Sequence, residues 1–428
     1  MSRAEIEAFA PDRLPHDTPL EHARRTMQAA GCSANNQQMG MRWPIGCVAL
    51  EVTQRCNLDC TLCYLSEQSE AVKDIALEEL FRRIELIYRY YGPNTDVQIT
   101  GGEPTVRRRE ELIEIVRRVR QAGMRPTLMT NGRRATRELL EALAEAGLVD
   151  VAFHVDTTQR LKGYASETEL NAVRSAYIDR ARGLPLSVMF NTTVHDSNFE
   201  AIPDLVRFFK AHAGRVRTAS FQVQAQTGRG VHEKKRAITL DEVAAKIEEG
   251  AGTSINFTSS LIGHRRCNRY GLCFEAGGRL YDALDDAAFI ARLQRATARI
   301  VLERGNRRRA AKDFLGWLAV NPRYWPRVLQ WTTAKAWRMR AGLLAARGRI
   351  NTLSFVIHGF MDARALERER IEACVFKAMT ADGPVSMCLH NAKRDSFIQA
   401  PLAPVDLKHA KGRTRERLLR QEALRPPR

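Results

Sequence analysis

The chain lacks any apolar run of the roughly 18 residues a membrane-crossing helix needs, so no transmembrane span is expected. Its start, MSRAEIEAFAPDRLPHDTPLEHARR, has no apolar core of signal-peptide length and carries acids early, which argues against export. Nine cysteines in 428 residues are too few for a disulfide scaffold. Acids are scarce relative to bases, 49 against 67, leaving a formal charge of +18. That balance suits a polyanionic partner, although a genome rich in G and C also favours arginine. At 44% hydrophobic and 27% charged, the composition is that of a globular protein.

The cysteines present are unevenly placed. Three of the nine fall within eight residues, in Glu51-Val-Thr-Gln-Arg-Cys56-Asn-Leu-Asp-Cys60-Thr-Leu-Cys63-Tyr64. Such crowding points to metal and to a reducing compartment, so the expected location is the cytoplasm. Thiolates bind iron well, and a four-iron cube ordinarily takes four. Three close cysteines leave one iron open to another ligand. The other reading is zinc, but zinc wants a fourth ligand and no His or Cys follows closely.

Short apolar runs alternate with amphipathic stretches from residue 46 onward. The runs are Val48–Val52, Val97–Thr100, Pro126–Thr130, Val151–Val155, Leu186–Asn191 and Ala219–Val223. Helical periodicity marks Leu77–Tyr91, Glu110–Ala122, Thr136–Ala146, Thr168–Arg182 and Ala201–Ala213. This alternation predicts an α/β fold, a partial (β/α)6 TIM-like barrel with right-handed crossovers, followed by a helix-rich C-terminal extension. The expected organisation is a lead-in over 1–45, the barrel over 46–230, a helical region over 231–404 and a charged tail over 405–428. In a parallel sheet the chemistry gathers at the C-terminal ends of the strands.

Each polar motif here follows an apolar run directly. The second run leads into Thr100-Gly101-Gly102-Glu103-Pro104-Thr105, where two glycines permit a bend and a close approach, and Glu103 can face an ammonium group. The third ends at Thr130-Asn131-Gly132, which also reads as a plain turn with Asn131 as a helix cap. Asp156 follows the fourth and is a candidate for ribose hydroxyls; Asn191 ends the fifth.

The Cys-x3-Cys-x2-Cys loop, its trailing aromatic and the Gly-Gly-Glu-Pro turn one strand later resemble the radical S-adenosylmethionine (SAM) superfamily over residues 45–230. The resemblance implies a [4Fe-4S] cluster on Cys56, Cys60 and Cys63, with SAM on the open iron. It implies SAM contacts at Tyr64, Gly101, Gly102, Glu103, Pro104, Thr130 and Asn131; Asp156 and Asn191, by their place at strand ends, either contact SAM too or satisfy buried backbone. It also implies an electron donor such as flavodoxin or ferredoxin. The expected activity is reductive cleavage of SAM and functionalisation of an unactivated C–H bond in a small or lipid-like molecule. A peptide-modifying maturase and a non-catalytic membrane- or RNA-binding protein with a relic fold are the alternatives.

Four further cysteines, Cys267, Cys273, Cys374 and Cys388, lie in the C-terminal block. Four is the number a closed cluster or zinc site takes, so they are candidates for a second [4Fe-4S] cluster; four separate core thiols are the plainer reading. The stretch from Ile357-His-Gly-Phe-Met361-Asp362 through Ile371 to Cys388, His390 and Asn391 loosely resembles the tetraether lipid synthase group and the archaeal pterin C-methylases. The cysteine-rich N-terminal module of tetraether synthase has no counterpart here, so the resemblance implies a related architecture rather than the same reaction.

Four of the five tryptophans, Trp317, Trp325, Trp331 and Trp337, cluster in one segment. Residues 301–350 hold twelve Lys or Arg against two acids, so +10 of the total charge is local. Two readings stand: a peripheral membrane contact, or amphipathic helices packing tryptophan on the barrel. Nucleic acid is the weaker third, since no binding module accompanies the pattern.

Overall fold

Valine, isoleucine, leucine and phenylalanine recur in all six apolar runs, as strands covered on both faces of a parallel sheet require. The computed structural model of the chain describes residues 1, 3–230, 234–300 and 307–394. Two lead-in helices, α1 (Arg3–Ala8) and α2 (Pro19–Ala29), precede the alternating core. That core runs β1 (Cys47–Thr53), α3 (Leu77–Tyr91), β2 (Asp96–Gly101), α4 (Arg109–Gln121), β3 (Arg125–Thr130) and α5 (Arg137–Glu145). It continues through β4 (Asp150–His154), α6 (Asn171–Arg180), β5 (Ser187–Val194), α7 (Ile202–Ala211) and β6 (Val216–Val223).

All neighbours from β1 to β6 pair in parallel and in chain order. Every residue of β1 is buried, and Val48, Leu50, Val97, Ile99, Leu128, Val151, Phe153, Phe190 and Phe221 are wholly inaccessible. The helices cover the outside with one apolar stripe each. In α4 that stripe is Leu112, Ile115, Val116 and Val119, the three- and four-residue spacing of one helix face. Thr136 caps α5 by accepting from Leu139 N–H.

β1 does not close on β6. The remaining elements are α8 (Leu240–Ala251), β7 (Asn268–Ala276), β8 (Arg279–Asp282), α9 (Ala287–Ala296), α10 (Arg307–Ala319), α11 (Trp325–Ala345) and β9 (Asn351–Gly359). They end in α12 (Arg368–Glu372), β10 (Phe376–Met379), β11 (Pro384–Ser386) and α13 (Met387–Ala392). β9 adds in parallel to β6, and β10 adds in parallel to β1, so both edges of the open barrel are covered by C-terminal strands. The sheet order is β11-β10-β1-β2-β3-β4-β5-β6-β9-β7-β8.

Residues 240–350 are not helical throughout. β7 and β8 form an antiparallel hairpin, and β7 pairs with β9. Their turn is Gly277-Gly278, both at positive φ (60° and 76°), the conformation a two-residue hairpin favours. The expected tail over 405–428 lies outside the described residues.

α6 carries a buried cation. Arg174 is fully buried, 2.5 Å from Glu167, and donates to the carbonyl of Val155 just after β4. Replacing Arg174 by Met would leave Glu167 charged and buried. That change is expected to lower the unfolding free energy by about 3–5 kcal/mol. Urea unfolding of the two chains measures it; a loss under about 1 kcal/mol would contradict this account.

Candidate active site

Parallel pairing puts the C-terminal ends of β1 to β6 and of β9 on one rim. A cavity of about 250 Å³ opens there, lined by residues from each of β1 to β6 and by Phe360 and Met361 just after β9. Its wall includes Cys56, Cys60, Cys63, Tyr64, Gly101, Gly102, Glu103, Thr130, Asn131 and Asn191. Pro104 and Asp156 do not line it.

The cysteine loop lies directly on the Gly-Gly turn. Gly102 N–H donates to the Thr53 carbonyl at 2.8 Å, and Glu103 N–H to that of Arg55 at 2.9 Å. A Cβ on Gly101 would stand 2.0 Å from Thr53 O, and one on Gly102 2.2 Å from Arg55 O. Gly101 also has φ of 126°. The glycines are thus required by backbone-on-backbone packing against the loop, a constraint apart from any ligand. On the other side Gly228 presses on the loop, where a Cβ would meet the Tyr64 carbonyl carbon at 2.4 Å. Arg229 N–H donates to Leu65 O, and the Arg229 guanidinium bonds Ser69 and Glu70. Tyr64 donates its hydroxyl to Gly101 O at 2.5 Å, and the Arg394 guanidinium lies 4.6 Å from its ring.

Glu103 is buried, and its carboxylate accepts from Thr105 N–H and hydroxyl, Thr130 hydroxyl and Asn131 N–H. Burial nevertheless holds its pKa above the usual carboxylate value. It ties the β2 turn to the end of β3. Asn131 reaches back to Asn57 in the cysteine loop at 2.6 Å.

Asp156 is wholly buried and occupied within the protein. Its oxygens accept from Thr158 N–H and hydroxyl and from Thr193 N–H, and one lies 2.7 Å from His154. Burial works against its charge, but His154 and these donors prevail and hold its pKa well below the usual range. His154, on the cavity wall, is in turn held above its ordinary value by Asp156 against the effect of burial. The expected ribose contact through Asp156 is thus not offered to the cavity; His154 and Asn191 stand there.

The three loop thiols are free and half-buried. Burial pushes Cys56 up to about 11 and Cys60 well above its ordinary value. Among the described residues no three His, Cys, Asp or Glu side chains have the spacing to hold a single metal ion. Zinc ligands converge on one ion, whereas a cube binds its thiolates at separate iron corners. Three thiols around an open cavity, with glycine-lined backbone beside them, fit a cluster with one free iron.

Of the C-terminal cysteines, three come together. Cys267, Cys374 and Cys388 lie within electrostatic reach of one another, beside Arg370, whose Nε is 3.2 Å from Cys267 Sγ. Cys388 reaches the cavity wall, and its sulfur accepts from Met361 N–H at 3.4 Å. Cys273 does not join them. It is six residues further along β7, roughly 20 Å at a strand's rise per residue, paired with Leu353 in the core.

Sequence reasoning also missed Glu51 and its partners. Glu51 lines the cavity from the middle of β1, buried, with Arg394 at 2.6 Å and Gln54 at 3.0 Å. The signal was one acid inside an otherwise apolar strand. Gln98, Gln159, Met361 and Met387 line the same cavity.

Comparison with known proteins agrees with this geometry. Residues 50–209 match the Radical SAM superfamily, and the chain carries a domain of that superfamily. Over 210 residues it is 30% identical to a protein of Methanocaldococcus jannaschii named 7,8-dihydro-6-hydroxymethylpterin dimethyltransferase, covering 47% of this chain and 41% of that one. It is 33% identical over 176 residues to a probable GTP 3',8-cyclase of Pyrococcus abyssi, covering 40% and 54%. It is 31% identical over 184 residues to a PqqA peptide cyclase of Rhodopseudomonas palustris, covering 41% and 46%. The chain thus spans about half the length of these curated relatives. Among solved structures, Streptococcus suis SuiB bound to S-adenosylmethionine superposes with a TM-score of 0.36 at 18% identity, covering 47% of this chain and 46% of that one.

His390 gives the site a pH signature. It is buried in α13, and burial, aided by Arg394 and opposed by Glu51, pushes its pKa down to about 4. The unfolded chain therefore binds a proton below about pH 6.5 that the folded chain refuses. Stability is expected to fall as pH drops from about 6.5 towards 4, and His390→Gln should flatten that fall. Denaturant midpoints at pH 7, 6 and 5 test it; parallel curves for wild type and variant would contradict it.

Proposed function

We propose that this chain is a radical SAM enzyme whose cluster sits on Cys56, Cys60 and Cys63 and whose SAM lies along Gly101–Glu103, Thr130, Asn131 and Asn191. The observation that carries this reading is that the three free thiols and the Gly101–Glu103 turn line one cavity at the rim of the parallel strands. Held on Cys56, Cys60 and Cys63, such a cluster would supply the electron for reductive cleavage of SAM, and with it the means to remove hydrogen from an unactivated carbon.

The chain's own residues then have separable tasks. The cysteine loop holds the thiols in place through its contacts with Gly101, Gly102 and Gly228. Backbone groups at the Gly-Gly turn would hold the ammonium end of SAM. Glu103 positions that turn through its bonds to Thr130 and Asn131. Asp156 orients His154, which offers a hydrogen-bonding edge to the cavity. Leu58, Leu62, Met129, Phe360, Met361 and Met387 form an apolar wall that keeps water from a reactive radical.

That wall favours a small, largely apolar or lipid-like substrate over a peptide. Modification of a peptide remains the second reading, since PqqA peptide cyclase is among the relatives. A second cluster belongs to this proposal on Cys267, Cys374 and Cys388, with Cys273 left as a core thiol. Flavodoxin or ferredoxin is the expected electron donor.

Anaerobic iron and sulfide quantification with Mössbauer spectroscopy tests both parts. Wild type is expected to hold about eight irons per chain, a Cys56/Cys60/Cys63→Ala variant about four, and Cys273→Ala the wild-type number. An iron-free wild type contradicts the proposal. An iron-free triple variant removes the second cluster alone.

A further inference from the structure

The four clustered tryptophans do not share one environment. Trp331 packs on Phe289 and Phe274, and Trp317 on Phe314 and Tyr324. Trp325 and Trp337 are exposed, Trp337 by 69%. In α11 the buried residues are Val328, Lys335, Met339 and Gly342, one face of the helix. At 3.6 residues per turn, Trp325, Leu329, Trp337 and Leu344 fall within about 120° of one another on the opposite side. Leu344 is 81% exposed, and Leu315 in α10 and Val320 in the link that follows it are exposed as well. Both faces of α11 are thus apolar, and only one is covered by protein.

Charge surrounds the uncovered face. Residues 307–349 contain eleven Lys or Arg and one acid, Asp313. Arg327 pairs with Asp286, and Lys335 and Arg338 pair with Asp285. Lys312, Arg323, Arg340, Arg347 and Arg349 have no carboxylate partner among the described residues. The Arg340 guanidinium lies 4.4 Å from the Trp337 ring, so cation and aromatic occupy the same surface.

We infer that the outer face of α10 and α11 docks on an anionic lipid bilayer. Tryptophan and aliphatic side chains interleaved with arginine match the interface of a membrane, where rings and stems enter the headgroup layer and cations meet lipid phosphates. A second copy of the chain fits poorly, because two faces each carrying Lys312, Arg323, Arg340, Arg347 and Arg349 without carboxylate partners among the described residues would repel. Nucleic acid would use the cations and the rings but gains nothing from exposed Leu329, Leu344 and Val320. Among the described residues no helix is long and apolar enough to cross a membrane, so the contact is one of lying on the surface. This deepens the lipid-like reading of the cavity by naming where such a substrate is met, yet its test needs neither cluster nor SAM.

The full chain is sedimented with vesicles of phosphatidylcholine alone or with 30% phosphatidylglycerol, about 30% being enough to give a strongly negative surface. Binding is expected to be at least about tenfold tighter to the anionic vesicles and to weaken in high salt. Trp337→Ala/Leu344→Ala and Lys312→Glu/Arg340→Glu should each reduce it about tenfold while leaving the melting midpoint unchanged. Equal affinity for both vesicles, no binding, or undiminished binding of both variants overturns the inference. So does dimerisation without lipid that the first variant abolishes, or RNA binding that outcompetes the vesicles.

Discussion

The loop after β1 and the turn after β2 lie backbone against backbone, and the geometry of the whole rim follows from that contact. No side chain fits between Gly101 and Thr53 or between Gly102 and Arg55. Gly228 brings the chain after β6 equally close from the far side. The cysteine loop is therefore clamped between the second and sixth strands of the sheet although it has no regular secondary structure of its own. Such a clamp holds three thiols in place before any metal arrives, which lowers the ordering cost of binding one.

A second layer of polar contacts supports the clamp. Glu103 joins β2 to β3, Asn131 joins β3 to the cysteine loop, and Asp156 joins β4 to β5 through Thr193 N–H. These are buried groups with their partners in place, the condition under which polar atoms in a core rigidify rather than weaken it. The C-terminal region completes the enclosure. β10 and α13 bring Arg394 onto Glu51 and the Tyr64 ring, and Cys388 and Met361 onto the cavity wall.

The barrel was legible because its parallel strands read as short, mainly apolar runs alternating with amphipathic stretches, and because each was followed by its polar motif. The hairpin of β7 and β8 was not, since Asn268–Ala276 mixes Arg269, Gly271 and Glu275 with its apolar residues; the Gly277-Gly278 turn was its one strong signal. The cysteine loop and the Gly-Gly turn were legible as motifs, but the packing reason for the glycines appears only in three dimensions. Asp156 stood at the expected strand end, yet spacing along a chain cannot tell whether a carboxylate faces a cavity or its own loop. Cys273 shows the same limit: four cysteines in one block looked alike until the strand carried one of them into the core. The tryptophan cluster divides in a way spacing along the chain does not reveal: Trp317 of α10 and Trp331 of α11 pack on other rings, while Trp325 and Trp337 of α11 are exposed.

The central claim is that Cys56, Cys60 and Cys63 bind the cluster that cleaves SAM. Its most direct test is the formation of 5′-deoxyadenosine and methionine from SAM by the anaerobically reconstituted, dithionite-reduced chain. The wild type is predicted to form both, and a Cys60→Ala variant of unchanged fold to form neither. Equal product from the two proteins, or none from an iron-replete wild type, would contradict the account.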